Sequence, residues 1–113
     1  MHFSGMTITF LKEFAATLWL TAPLLLSVAA VITLLGQIVG KNEGWSAFDA
    51  FYWSFITGTT VGYGDVRPVK RASRILAIFI ALLGLIFTGM MIAVAVYAAT
   101  FALTAHDAAV KVR

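Results

Sequence analysis

Two long stretches of the chain carry no charge. From Phe14 to Val39 there are 26 residues without Asp, Glu, Lys or Arg, and from Ile75 to Ala105 there are 31. A helix crosses the hydrocarbon core of a bilayer with about 20 residues, so each stretch is long enough to span once. The second, roughly 46 Å long at about 1.5 Å per residue, must tilt or project beyond the bilayer. A soluble fold has nowhere to hide such segments. Hydrophobic residues make up 61% of the chain and charged residues 12%, against about 45–50% and about 25% in soluble domains. A domain of 113 residues has too little interior for that much apolar surface. The same composition excludes intrinsic disorder. The chain therefore reads as a small, multi-pass integral membrane protein in contact with membrane lipids. It has no cysteine, hence no disulfide framework and no thiolate metal site. Eight Lys and Arg residues give a net charge of +3 without forming a basic run, so nucleic acid is not an expected partner.

The first stretch is longer than the apolar region of a signal peptide, and a second span follows it. Pro23 sits inside it and predicts no more than a mild kink. Ahead of it, Phe3, Met6, Phe10 and Phe14 fall near helical spacing among Ser4, Thr7, Lys12 and Glu13. That pattern describes either a short helix lying in the membrane interface or a frayed terminus. After the second stretch, His106 to Arg113 is too short for a domain. His106 beside Asp107 is either a pH-sensitive group or an ordinary surface histidine. Met90 and Met91 read as gap-filling side chains rather than metal ligands, since no His or Cys accompanies them.

Residues 40–74 join the two stretches. Gly40 and Gly44 read as turn glycines that open the segment. Ser46 is a good helix N-cap, with Asp49 where a capping box places its acid. Phe48, Phe51, Tyr52, Phe55 and Ile56 follow at helical spacing. A short apolar helix over 46–58 is predicted, too short to cross a membrane. Gly58, Gly62 and Gly64 then interrupt regular structure, and Arg67-Pro68 closes the segment. A span, a half-length apolar helix, a glycine-punctuated strand and a second span together describe a re-entrant loop. Irregular backbone at membrane depth is tolerated only where protein surrounds it or it lines a water-filled path. The order of elements points to a pore.

Thr59-Thr60-Val61-Gly62-Tyr63-Gly64-Asp65 carries the chemistry. To replace the hydration shell of an ion, successive carbonyl oxygens must face one axis, which needs alternate residues in left-handed conformations. Gly62 and Gly64 adopt them at least steric cost. Thr60 can add a hydroxyl oxygen, while Val61 and Tyr63 point away and pack. Thr60 to Gly64 resembles, residue for residue, the TVGYG selectivity filter of the tetrameric potassium channels, and Asp65 extends the match. Trp53, seven residues before Thr60, is similar to the second member of that family's pore-helix aromatic pair, and Asp49 to the acid near the pore-helix start. Gly84, sixteen residues after Pro68, resembles the inner-helix hinge glycine of the bacterial two-helix channels, and Gly89 follows it.

The resemblance covers about Phe14 to Phe101 and implies an all-α membrane fold. A pore domain over 1–113 would consist of an outer helix 14–39, a pore helix 46–58, a filter 59–65 and an inner helix 75–105, assembled as a homotetramer. Potassium would bind at Thr60, Val61, Gly62 and Tyr63, with Gly64 completing the strand. It is the permeant ion, and no cofactor is expected. Tyr52, Trp53 and Asp65 would support the filter, with either the Tyr52 hydroxyl or the Trp53 indole reaching the Asp65 carboxylate. The first aromatic of the pair is Trp in some relatives and Tyr52 here. Some bacterial relatives place a Glu four residues before the filter threonine. Here that position is Ile56, which leaves Asp65 without a carboxylate neighbour. Arg67 would face the outer mouth. Leu85, Thr88, Ile92, Val96 and Thr100 share one helical face and would line an inner cavity. Gly84 and Gly89 are either gating hinges or small residues that let helices approach closely.

Counting Lys and Arg alone places the loop, with Lys41, Arg67, Lys70, Arg71 and Arg74, in the cytoplasm. The resemblance places it outside and both termini in the cytoplasm, in a bacterial plasma membrane, and it is followed here because Asp65 and the filter's outer end define the external face. No nucleophile, acid–base pair or phosphate loop suggests an enzyme. The function expected is passive potassium conduction. The alternatives are a pore segment of a longer ligand- or voltage-gated channel, or a membrane hairpin that tunes a partner and conducts nothing.

Overall fold

The computed structural model describes residues 2–112, with side chains from Ser4 to Lys111. The Phe3 side chain and Arg113 lie outside that range. Three helices follow in order: α1 over His2–Glu43, α2 over Ala47–Gly58 and α3 over Arg71–Val112. Two of them, α1 and α3, are long and apolar enough to cross a membrane. Both run past the uncharged stretches at each end, because Lys, Arg and Glu are good helix formers and do not stop a helix where the hydrophobic run stops. Only 11% of the most apolar window of each helix is buried within the chain, which leaves their surfaces for lipid or for other protein.

The chain forms two compact units, Leu24–Gly89 and Met1–Pro23 with Met90–Arg113. In the first, Ile32, Val39, Trp53 and Ile80 make a small core drawn from all three helices. Close backbone approach explains how α2 fits against α1. A Cβ on Gly36 would lie 2.6 Å from the Ser54 Cβ, and one on Gly40 would lie 2.5 Å from the Ala50 Cβ. The Gly36–Gly40 spacing is a G-x-x-x-G pair, and it meets the equally spaced small residues Ala50 and Ser54, both buried. Gly40 is thus helical and not the turn residue that its position after the apolar stretch suggests. The turn falls at Gly44, whose φ of +79° ends α1 while the Trp45 N–H returns to the Gly40 carbonyl at 2.8 Å, a Schellman closure.

Polar contacts then tie the loop ends together. Asn42 Nδ2 donates to the buried Ser73 Oγ at 2.7 Å, and Lys70 Nζ donates to the Asn42 carbonyl at 2.7 Å. The Glu43 carboxylate accepts the backbone N–H of Val69 at 2.8 Å and of Lys70 at 3.2 Å. Those two donors precede the first turn of α3, where backbone N–H groups have no helical partner. The segment after Asp65 is therefore clasped to the end of α1.

In the second unit, Val94, Ala98 and Ala102 form a buried stripe on α3, four residues apart on one face. The described residues ahead of Phe14 form neither a separate interfacial helix nor a frayed end. They continue α1. Thr9 Oγ1 donates to the Gly5 carbonyl at 2.9 Å, and the Phe10 and Phe14 rings stack one turn apart with centroids 5.7 Å apart. Met6 and Phe10 face Ala99, Ala102 and Leu103 across a cavity of about 280 Å³, so this turn of α1 has an apolar partner in its own chain and does not need the membrane surface for one.

Candidate functional site

The site grows from the C-terminal end of α2. Ser46 caps the helix start, its hydroxyl accepting the Asp49 N–H at 3.1 Å, and Gln37 Nε2 donates to the Ala47 carbonyl at 3.0 Å. At the other end the backbone leaves the helix but stays bonded to it. The Thr59 N–H donates to the Phe55 carbonyl at 2.8 Å, the Thr60 N–H to Thr57 at 3.1 Å and the Gly62 N–H to Ile56 at 3.0 Å. These bonds satisfy carbonyls that a helix end otherwise leaves unpaired. They also orient the strand. In a trans peptide the carbonyl points opposite to the N–H it is bonded to, so the Thr59 and Val61 carbonyls are directed away from α2.

Three alternate residues are left-handed: Thr60 at φ +68°, Gly62 at +56° and Gly64 at +80°. The glycines adopt this readily. Thr60 does not, since a β-branched residue at positive φ is a true outlier, and such strain clusters where a special backbone shape is used. Residue type points to the glycines alone, and nothing in the sequence marks Thr60, whose N–H is bonded to the Thr57 carbonyl.

Behind this strand lies a cavity of about 190 Å³ whose walls include Tyr52, Ile56, Tyr63, Asp65 and Arg67. The Tyr52 hydroxyl donates to Asp65 Oδ2 at 2.9 Å, which holds the Tyr52 phenol above its ordinary pKa. Of the two donors that the sequence leaves open, the structure uses the tyrosine. Trp53 also borders the cavity, but its ring is buried in the core and meets Trp45 edge-on, with centroids 5.3 Å apart. Ile56 offers Asp65 no hydrogen bond. Arg67 is exposed, and among the described residues no ion pair joins it to Asp65. Val61 and Tyr63 are 52% and 70% exposed, so the aliphatic and aromatic groups that would pack the strand are only partly covered within their own chain.

The expected cavity-lining residues divide between the two units. Leu85 is exposed and Thr88 half-buried in the first, while Ile92, Val96 and Thr100 are exposed in the second. None of them faces the core of its own unit. Gly84 and Gly89 differ sharply. A Cβ on Gly84 would overlap the Gly58 carbonyl oxygen and Cα, whereas one on Gly89 would meet nothing within 4 Å.

The chain matches the ion channel family model over residues 7–101. Among curated proteins it is 43% identical over 70 residues to TWiK family of potassium channels protein 7 of Caenorhabditis elegans, a match covering 61% of this chain and 13% of that one. It is 37% identical over 71 residues to human potassium voltage-gated channel subfamily KQT member 4, covering 63% of this chain and 10% of that protein. It is 45% identical over 40 residues to a voltage-gated potassium channel of Aeropyrum pernix, covering 35% of this chain and 14% of that one. The chain thus spans about a tenth of the length of these relatives. No solved structure matches.

Proposed function

The chain belongs to the ion channel family, and we propose that it is the subunit of a potassium-selective pore of the bacterial two-helix type, a conduit and not an enzyme. The observation that carries this reading is the backbone of Thr60 to Gly64. Left-handed residues alternate at 60, 62 and 64, and the N–H groups of Thr60 and Gly62 are tied back to α2, which directs the Thr59 and Val61 carbonyls away from it. A ring of such carbonyls replaces the hydration shell of potassium. One chain supplies one strand, so a ring needs several copies, and a fourfold assembly closes it. The exposed Val61 and Tyr63 side chains then find cover in neighbouring copies. In that assembly α2 is a re-entrant pore helix whose C-terminal dipole end favours a cation. Leu85, Thr88, Ile92, Val96 and Thr100 line the inner cavity, both termini lie in the cytoplasm, and the membrane is a bacterial plasma membrane.

Purified protein in liposomes tests the reading. The reversal potential under opposed potassium and sodium gradients should follow potassium, and one that follows both equally removes the proposal. A second reading is favoured by the short coverage of the relatives: the same pore as one segment of a longer gated channel. Reading the gene past Arg113 and before Met1 separates the two.

Tyr52→Phe tests the support behind the strand. It removes the hydrogen bond from Tyr52 to Asp65 and leaves the ring in place. Because the acceptor is a carboxylate but the pair is not deeply buried, the loss is modest. Current decay during sustained opening should quicken about threefold, with potassium selectivity kept. Unchanged decay would remove Tyr52 from the filter's support.

A further inference from the structure

We propose that Gly84 is a positioning residue for the filter: α3 seats the filter-bearing end of α2 at this point. The inference rests on the pore reading above and adds a role for one residue within it.

α2 carries a buried stripe of small residues, Ala50, Ser54 and Gly58, four residues apart and so on one face. Two of them face Gly36 and Gly40 of α1, where the nearest atoms are the Ser54 and Ala50 Cβ carbons. The third contact is with backbone alone. At Gly84 the near atoms are the carbonyl oxygen, Cα and carbonyl carbon of Gly58, so two backbones touch with no side chain between them. Gly58 is the last residue of α2, and the strand that follows hangs from the same turn through the bonds of Thr59, Thr60 and Gly62 to the carbonyls of 55, 57 and 56. Whatever moves the Gly58 backbone moves the first filter residues with it. Crowding against a Cβ or against backbone atoms is not relieved by a rotamer change, so what sets Gly84 apart is which backbone would have to shift: the one from which the filter hangs.

The two facing glycines are not equivalent. A Cβ on Gly58 would point elsewhere, meeting Ile32 Cδ1 at 3.6 Å and the Gly84 Cα at 3.7 Å, which is ordinary contact. Neither Gly58 nor Gly84 has a positive φ, so conformational freedom is not what either supplies. Gly84 is required by space and Gly58 is not. Gly89, five residues on, has open space around it and no such neighbour.

The test compares Gly84→Ala, Gly58→Ala and Gly89→Ala in the full chain, together with Gly84→Ala/Leu85→Gly, which moves the flexible residue by one position while keeping the methyl at 84. Liposome flux should show Gly84→Ala losing at least about tenfold in potassium-over-sodium permeability ratio, with no rescue in the double variant. Gly58→Ala and Gly89→Ala should stay within about twofold of wild type. A merely structural role would lower the yield of protein and leave the ratio alone. Thermal melting of the solubilised assembly reads the contact even if the wild type conducts nothing, and a non-selective wild type counts against the pore reading instead. Melting should fall by about 5 °C or more for Gly84→Ala and stay near wild type for Gly58→Ala. Wild-type selectivity in Gly84→Ala overturns the inference, as does rescue by Leu85→Gly. So does Gly58→Ala proving as damaging as Gly84→Ala in either measurement.

Discussion

Replacing Gly62 with alanine is expected to abolish selective potassium flux, with a loss of about a hundredfold or more and a potassium-over-sodium permeability ratio that falls towards one. Gly62 sits at φ +56° with open space about its Cα, so the effect comes from the dihedral and not from crowding within the chain. An L-residue in the left-handed region costs roughly 1–2 kcal/mol, and the proposed fourfold assembly would repeat the cost in every subunit, for about 4–8 kcal/mol per pore. The strand cannot escape by rotating, because the Gly62 N–H is bonded to the Ile56 carbonyl at 3.0 Å, and a return to negative φ would turn the peptide and its carbonyl away from their present directions. Thr60, already left-handed at +68°, means that the new strain adds to one the strand carries. Gly5→Ala is the control, since Gly5 is helical with nothing near its missing Cβ. Reversal potentials of the two variants in liposomes check the prediction, and a Gly62→Ala protein with wild-type selectivity would show that the dihedral at 62 is not what shapes the site.

How far the sequence reaches is seen best along residues 36–65. The start of α2 is legible because its signals are local: a serine in capping position with an acid three residues on is recognisable without a partner. So are Gly62 and Gly64, where residue type and conformation coincide. Gly40 is misleading for the opposite reason. A glycine after an apolar run suggests a turn, but this one is helical because Ala50, ten residues on, needs its backbone close. The G-x-x-x-G spacing of Gly36 and Gly40 was the available signal. It marks a face that another helix can approach closely, but not which helix. Gly84 poses the same question, and its close approach to Gly58 shows only once both helices are in place. The choice of the Tyr52 hydroxyl over the Trp53 indole goes with a Trp53 ring that lies in the core against Trp45, a contact across a loop. In the sequence, residues ahead of Phe14 look separate from the first span because Lys12 and Glu13 end the apolar run. A charge pair ends hydrophobicity without ending a helix.

Arg67→Tyr is expected to tighten block by external tetraethylammonium at least about tenfold, and to raise inward current at low salt. In the proposed pore Arg67 lies two residues beyond Asp65, at the outer entrance, and fourfold symmetry makes it a ring of four guanidinium groups. The structure bears on whether that charge is expressed. Asp65, the acid near enough to neutralise it, has Oδ2 accepting from Tyr52, and among the described residues it forms no ion pair with Arg67. Glu43 is occupied by the backbone of Val69 and Lys70. Both carboxylates keep their negative charge, but neither holds the guanidinium in an ion pair among the described residues. In the proposed pore Arg67 is therefore expected to present a positive charge, softened but not cancelled by Asp65, that repels a quaternary ammonium and thins the local supply of potassium. A tyrosine ring in its place offers a negative π-face worth about 0.5–1 kcal/mol at an exposed site. Four such rings, even used incompletely, exceed the roughly 1.4 kcal/mol that corresponds to a tenfold change in affinity. The two consequences separate by salt. Loss of repulsion is a long-range effect and should fade as ionic strength rises, since the Debye length is only about 8 Å at physiological salt. The gain from the rings is a contact effect and should persist. Dose–response curves for external tetraethylammonium at two ionic strengths, with single-channel currents recorded alongside, measure both. Tight block in the wild type, or a current gain indifferent to salt, would place Arg67 away from the entrance.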